Sequence, residues 1–393
     1  MKKAVRKGAS KAVALVLSLA MIFGMAPMVS ASAGNTADAQ DNFDRIVHLD
    51  MGRKYFTPDW IKSLIDEMAK LGYNQLELDF GNSEKGQLRF ALKDMSVNYT
   101  YTEQTMVPVD NTDAQEEPAA PVQTEEPVDE EQTAETVMPL QEEPAAPAET
   151  VAPTAPVTDE VLEQAEESET AGGVIEYTYI NEEKLGTINL GAALPEDKDG
   201  KKQYITEAEM VGIIEHAESK GIEIVPLLNS PGHFGAVLCA APDFRYPGSS
   251  NSLDITNEAA RNFGVAVVQK YAAWFVDQGC TTFNIGADEF ANDSGMGFAN
   301  LQQGEWANFD SYITALYDML KEEGYTTVRM FNDGVNYGPT YYGYSHTSSI
   351  PEDIQICYWS CGWDGYDVAS ADELASLGYS LINTNGDYYF VLK

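Results

Sequence analysis

The sequence predicts an α/β fold, a (β/α)8 TIM barrel, on three observations. Five times an amphipathic helical stretch ends at a glycine and passes at once into a short apolar run, at Gly72, Gly221, Gly279, Gly324 and Gly378. Glycine takes the left-handed conformation that closes a helix without steric cost. The runs that follow are close to continuously apolar, as in parallel strands covered on both faces. No G-x-G-x-x-G follows a strand: Gly295 and Gly297 come close, but Asn300 stands at the third glycine position. That disfavours a doubly wound nucleotide-binding sheet and leaves the barrel.

Residues 1–33 read as a secretory signal peptide. Lys2, Lys3, Arg6, Lys7 and Lys11 form a basic start, residues 12–23 an apolar run short of a bilayer span, and Ala31, Ser32 and Ala33 a small-residue cleavage site. The alternative is an uncleaved membrane anchor. A linker, 34–43, follows. Strands are expected at 46–50, 74–80, 222–228, 281–285, 326–331, 354–359 and 379–382. Thr57 before Pro58 places a cap and an N1 proline ahead of Ile61, Leu64, Ile65, Met68 and Leu71 at helical spacing. Thr206 with Glu209 makes a capping box for another helix. Seven strands are found, so the barrel, over 44–100 and 172–393, reads as truncated before its eighth strand.

Between the two barrel segments, 101–171 has another character. No aromatic residue occurs between Tyr101 and Tyr177 and no Lys or Arg between Lys93 and Lys184, while 103–169 hold 20 acidic residues and 9 of the 18 prolines. Such a segment buries too little apolar surface to offset its chain entropy, so a disordered Pro/Glu/Ala/Thr-rich insertion is expected. The run 116–121 recurs as 142–147, a low-complexity repeat. The net charge is −38, and without those 20 acids it is −18. Over half of the charge therefore belongs to the insertion and not to a site. With only 24 basic residues against 62 acidic ones, no basic footprint for nucleic acid exists.

In a barrel of this kind the chemistry sits at the C-terminal ends of the strands. There the sequence places Asp50 and Arg53; Asp79 and Asn82; Asn229 and His233; Asp288 and Glu289; Asn332 and Asp333; Trp359 and Trp363; Asn383, Asn385 and Tyr389. Carboxylates, amides and aromatics with little positive charge suit a sugar, whose hydroxyls need hydrogen bonds and whose CH faces need aromatic walls. Adjacent acids are common in so acidic a chain, but Asp288 and Glu289 stand out by following the strand Phe283, Asn284, Ile285. The four cysteines, Cys239, Cys280, Cys357 and Cys361, are expected as buried free thiols. With four histidines and no H-E-x-x-H or clustered Cys and His, no metal or other cofactor is expected.

Several of these runs, in order, resemble glycoside hydrolase family 20, the β-N-acetylhexosaminidases, and most of all the Gram-positive surface exo-β-N-acetylglucosaminidases. They are Asp50 to Phe56, Gly81 and Asn82 before Leu88, Arg89 and Phe90, Asn229 to His233, Asn284 to Glu289, and Phe331 to Gly334. The resemblance covers about 44–98 and 200–392. It implies retaining hydrolysis in which the substrate's own 2-acetamido oxygen is the nucleophile and an oxazolinium forms. Glu289 would be general acid and then base, which asks for a raised pKa, and Asp288 would orient the acetamido N–H. Arg53 would grip the 3- and 4-hydroxyls, Tyr389 would hydrogen-bond the acetamido oxygen, and Trp359 and Trp363 would wall the pocket. Asp333 is expected at the substrate. His233 is expected there too, or as a partner of Glu289, or as a structural histidine.

The expectation is thus a secreted, extracellular exo-β-N-acetylhexosaminidase acting on terminal β-GlcNAc, and on GalNAc as the second candidate sugar. Its partner is a glycan, with no nucleic acid and with a membrane only through an uncleaved anchor. Two alternatives stay open: a lacto-N-biosidase, and a noncatalytic glycan-binding or adhesion module.

Overall fold

The computed structural model describes residues 43–82, 87–108, 177–295, 297–301, 303–336, 345–362 and 367–385. The expected signal peptide, nearly all of the linker, residues 109–171 of the expected insertion, Trp363 and Tyr389 lie outside the described residues.

The strands, in chain order, are β1 (Ile46–Asp50), β2 (Gln75–Asp79), β3 (Phe90–Ala91), β4 (Ser96–Pro108), β5 (Tyr177–Asn189), β6 (Ile205–Thr206), β7 (Glu223–Leu227), β8 (Thr282–Asn284), β9 (Thr327–Phe331), β10 (Gln355–Tyr358) and β11 (Leu381–Asn383). Seven of them form one sheet in the order β1-β2-β7-β8-β9-β10-β11, every pair parallel. These are the seven expected strands, within two residues at either end. The sheet curls into a half-barrel with helices outside it. No eighth strand joins β11 to β1 among the described residues.

Local signals explain the helices. Helix Pro58–Lys70 starts where the Thr57 hydroxyl accepts from Trp60 N at 3.3 Å, and it buries Ile61, Ile65 and Met68. Helix Glu207–Ser219 starts where Thr206 N donates to Glu209 Oε2 at 2.8 Å. The five glycines that close helices all have positive φ, between 71° and 108°. Helices Glu258–Asp277 and Gln303–Glu323 pack beside one another outside the sheet.

Two expectations are corrected. Residues 101–108 do not belong to the insertion: β4 and β5 form an antiparallel ribbon of 13 residues on each side, with Pro108 opposite Tyr177. Its root is apolar, Tyr99 meeting Phe244 and Phe263 edge-on, and Asn262 Nδ2 on the Glu258–Asp277 helix donates to the Thr100 carbonyl at 2.8 Å. The alternating Tyr, Thr and Val of 97–107 carry the strand signal, which the acid and proline count over a longer window hides. Of the free thiols, Cys280 and Cys357 are buried, but Cys239 and Cys361 are exposed.

The inner face of the sheet is polar. On β2, Gln75, Glu77 and Asp79 alternate with Leu76 and Leu78, and all five are buried. His48 Nδ1 lies 2.8 Å from Glu77 Oε1, and Asn284 Nδ2 donates to Glu77 Oε2 at 3.0 Å. Buried Arg329 donates to Gln355 at 2.7 Å and to Gln75 at 2.9 Å. Burial opposes the charge on His48, but Glu77 outweighs it and lifts the imidazole to about 9. This layer lies below the residues that follow the strand ends.

Candidate active site

Beyond β8 the chain turns through 285–291, and side chains from other elements hold that turn by its backbone N–H groups. Ala287 N donates to Asn229 Oδ1, Glu289 N to Asp333 Oδ2 and Ala291 N to Ser252 Oγ, each at 2.8 Å. Three non-glycine residues here are left-handed: Ala287 at φ 67°, Glu289 at 49° and Ala291 at 56°. Such conformations cost about 1–3 kcal/mol each and persist where the surroundings over-determine them. The turn is a rigid mount for Asp288 and Glu289.

The loop after β7 closes on it. A Cβ on Gly232 would stand 2.2 Å from the Asp288 carbonyl oxygen, so only glycine allows this approach. The contact brings His233 under the acids: Nε2 is 2.9 Å from Glu289 Oε2 and 3.5 Å from Asp288 Oδ2. His233 is itself 3% exposed, with the Asn251 amide 3.3 Å from its Nδ1. Asn229, fully buried, donates through Nδ2 to Asp288 Oδ1. Each acid thus has its own partner, an amide for Asp288 and an imidazole for Glu289.

The charges follow. Burial disfavours a charged His233, but Asp288 and Glu289 overcome it and raise the imidazole to about 9. The hydrogen bond from His233 in turn holds the Glu289 carboxyl below its ordinary value, against desolvation. The raised Glu289 pKa expected of a general acid is therefore not what the free site has: the proton resides on His233, 2.9 Å away. Moving it across that bond gives a neutral imidazole and a protonated acid without exchange with solvent.

Arg53 follows β1 and stands over the same acids. Its NH1 donates to Asp50 Oδ2 at 2.6 Å, its side chain remains 51% exposed, and against the effect of burial the neighbouring Asp50 carboxylate raises its pKa. The guanidinium keeps donors for a ligand. A Cβ on Gly52 would meet the Asn82 carbonyl oxygen at 2.2 Å, so this turn too depends on a close backbone approach.

Asp333 follows β9 and reaches the same turn. It is fully buried, one oxygen accepting from Glu289 N and the other from Trp359 Nε1 at 3.0 Å. It acts on the site by fixing Glu289 and the Trp359 indole. Trp359 is half-buried, and its N donates to Asn332 Oδ1 at 2.8 Å. Asn229, Asn251 and Ser252 are the supporting residues that sequence reasoning did not single out for a role. Only the place of Asn229 at the end of β7 signalled it. Among the described residues one cluster offers three ligand atoms within 4.8 Å, His233, Asp288 and Glu289, and its imidazole and one carboxylate already form the ion pair.

A parallel barrel sheet with an acid pair rigidly mounted at its C-terminal rim, one acid sharing a proton with histidine, is the arrangement of a glycoside hydrolase. The chain belongs to glycosyl hydrolase family 20: the model of that family's catalytic domain matches residues 181–392. A lacto-N-biosidase of Bifidobacterium bifidum is 28% identical over 217 residues, which are 50% of this chain and 18% of that protein. Two structures of the pneumococcal exo-β-D-N-acetylglucosaminidase StrH align at 27% identity with a TM-score of 0.59, over 88% and 89% of this chain and 66% and 67% of theirs. Dispersin B shares the fold, at 19% identity and a TM-score of 0.50, over 88% of this chain and 75% of its own. The chain therefore spans less than a fifth of the curated relative it matches, and about two thirds of the StrH structures.

Proposed function

We propose that the protein is a retaining exo-β-N-acetylhexosaminidase that removes terminal β-GlcNAc, and GalNAc as a second substrate, by substrate-assisted catalysis. The observation that carries this reading is the division of partners between the two acids. Asp288, held by the uncharged Asn229 amide, is aimed by a fixed donor and is suited to the acetamido N–H and to the positive charge of an oxazolinium. Glu289, on the His233 proton store, is suited to protonate the leaving oxygen and then to deprotonate water. Arg53 supplies a multi-donor fork for ring hydroxyls, and Trp359 an aromatic wall. The likeness to StrH supports the choice of GlcNAc.

Turnover of 4-nitrophenyl β-GlcNAc, β-GalNAc and β-lacto-N-bioside tests it. The expected result is hydrolysis of the first, less of the second, retention of configuration, and loss of turnover with sugar binding kept in Glu289→Gln. Hydrolysis of the lacto-N-bioside alone would replace the reading with a lacto-N-biosidase, which the Bifidobacterium relative favours. A glycan profile unchanged by Glu289→Gln, with no hydrolysis by either protein, would leave a noncatalytic binding module.

We also propose that residues 1–33 direct export, to the cell exterior or surface, and the amino-terminal sequence of protein recovered from the medium checks this. No helix among the described residues is long and apolar enough to cross a membrane.

A further inference from the structure

Behind Arg53 stands an acid that the proposed reaction leaves unused. Asp79 ends β2, is fully buried, and is the register partner of Asp50 on β1, so the two side chains leave the parallel sheet on one face. Its Oδ1 accepts from Gly81 N at 3.2 Å and Asn82 N at 3.0 Å. Its Oδ2 is buried and meets no donor among the described residues. Both oxygens of Asp50 meanwhile accept from Arg53, from its N at 3.1 Å and its NH1 at 2.6 Å.

A buried carboxylate oxygen with no donor, beside a second carboxylate, is unfavourable unless it carries the proton itself. We propose that Asp79 is a positioning residue for the sugar-binding arginine: it stands as a neutral acid whose Oδ2–H points to Asp50, so that a single negative charge holds Arg53 with its outer donors turned to the sugar. The inference rests on the reading of Arg53 as the hydroxyl-binding group of a hexosaminidase. When Asp79 loses its proton, two negative charges lie behind the guanidinium. Arg53 is then drawn inward and sugar binding weakens, while the Asp288–Glu289 machinery is untouched.

The groups that bear on Asp79 agree. Burial and the Asp50 charge push it up to about 7, opposed by His48 and by its bonds to Gly81 and Asn82. His48 on β1 is engaged with Glu77, which sits two residues back on β2. Arg53 is committed to Asp50, Asp288 acts on Arg53 by its charge and is held by the Asn229 amide, and Arg89 donates to the Met51 carbonyl at 3.0 Å. No cation makes an ion pair with Asp79 among the described residues.

The test has two independent arms. In the first, KM and kcat for 4-nitrophenyl β-GlcNAc are measured from pH 5 to 9 in the wild type, Asp79→Asn and Asp79→Ala. The wild-type KM is expected to rise above pH 7, by up to about tenfold per pH unit, with kcat unaffected by this step. Asp79→Asn, which mimics the neutral acid, should keep the low-pH KM throughout, and Asp79→Ala should show a raised, pH-independent KM. In the second arm, infrared difference spectra of the sugar-free protein should show a protonated-carboxyl band near neutral pH that is absent in Asp79→Asn. A wild-type KM that is flat across this range, or a rise that persists in Asp79→Asn, overturns the positioning role. Absence of the band overturns the neutral acid whether or not the protein hydrolyses anything, and absence of hydrolysis in the wild type counts against the hexosaminidase reading instead.

Discussion

Replacing Asn229 by alanine probes how the acid pair is held. Its amide is fully buried and makes two bonds of different kinds, Oδ1 accepting from Ala287 N at 2.8 Å and Nδ2 donating to Asp288 Oδ1. Truncation orphans a buried backbone N–H, at about 1–3 kcal/mol, and strips a carboxylate of its donor, at about 1.5–3 kcal/mol. The left-handed Ala287 also loses one of the constraints that hold it at φ 67°. A stability loss of about 3–5 kcal/mol is expected from these two terms. If Asp288 shifts by about 1 Å, kcat for 4-nitrophenyl β-GlcNAc should fall about 100-fold, with KM changed far less. Steady-state kinetics with a thermal melt reads both. A kcat within threefold of wild type, in a variant that melts as wild type does, would refute the idea that this amide aims Asp288.

Gly232→Ala tests the approach of the two loops, since its Cβ would stand 2.2 Å from the Asp288 carbonyl oxygen. Activity should fall at least about tenfold, because a shift of this backbone moves His233 away from Glu289, and recovery of the His233 imidazole resonance at its wild-type position would contradict this. Stability should also depend on pH with a definite sign. His233 and His48 are raised from 6.5 to about 9. The stability they contribute is therefore full below about pH 6.5 and lost as pH rises through 9, about 3 kcal/mol for buried His233. The wild-type melting temperature should decline over that window, and in His233→Gln the decline should be shallower. An equal slope in both proteins would remove the ion pair from the account.

The seven-stranded sheet was legible because five of its strands announce themselves twice, by a glycine that closes the preceding helix and by an apolar run, and β1 and β10 by the apolar run alone. The acid pair was legible by its place after β8. What escaped were features set by partners distant in sequence. Tyr101 to Pro108 carry a strand alternation that the acid-rich segment beside them masks, and the pairing with Tyr177 to Lys184 completes them as strand. The partners of Asp333 were not legible from its place after the end of β9. Its bonds to Glu289 N and Trp359 Nε1 come from two other strand ends, which no local pattern encodes. The proton on His233 instead of Glu289 likewise depends on the carboxylates that the fold brings against the imidazole, which outweigh burial and which composition does not report.

The ribbon has a consequence for how this fold tolerates change. Among the described residues Pro108 and Tyr177 face each other as the outermost rungs of a two-stranded ladder of 13 residue pairs. Whatever joins them closes over a gap already fixed by the ladder, so added length costs only slowly growing loop entropy and transmits no strain to the enzyme body. The tip therefore acts as a neutral splice point, where sequence can be traded or a reporter grafted while the catalytic turn remains undisturbed.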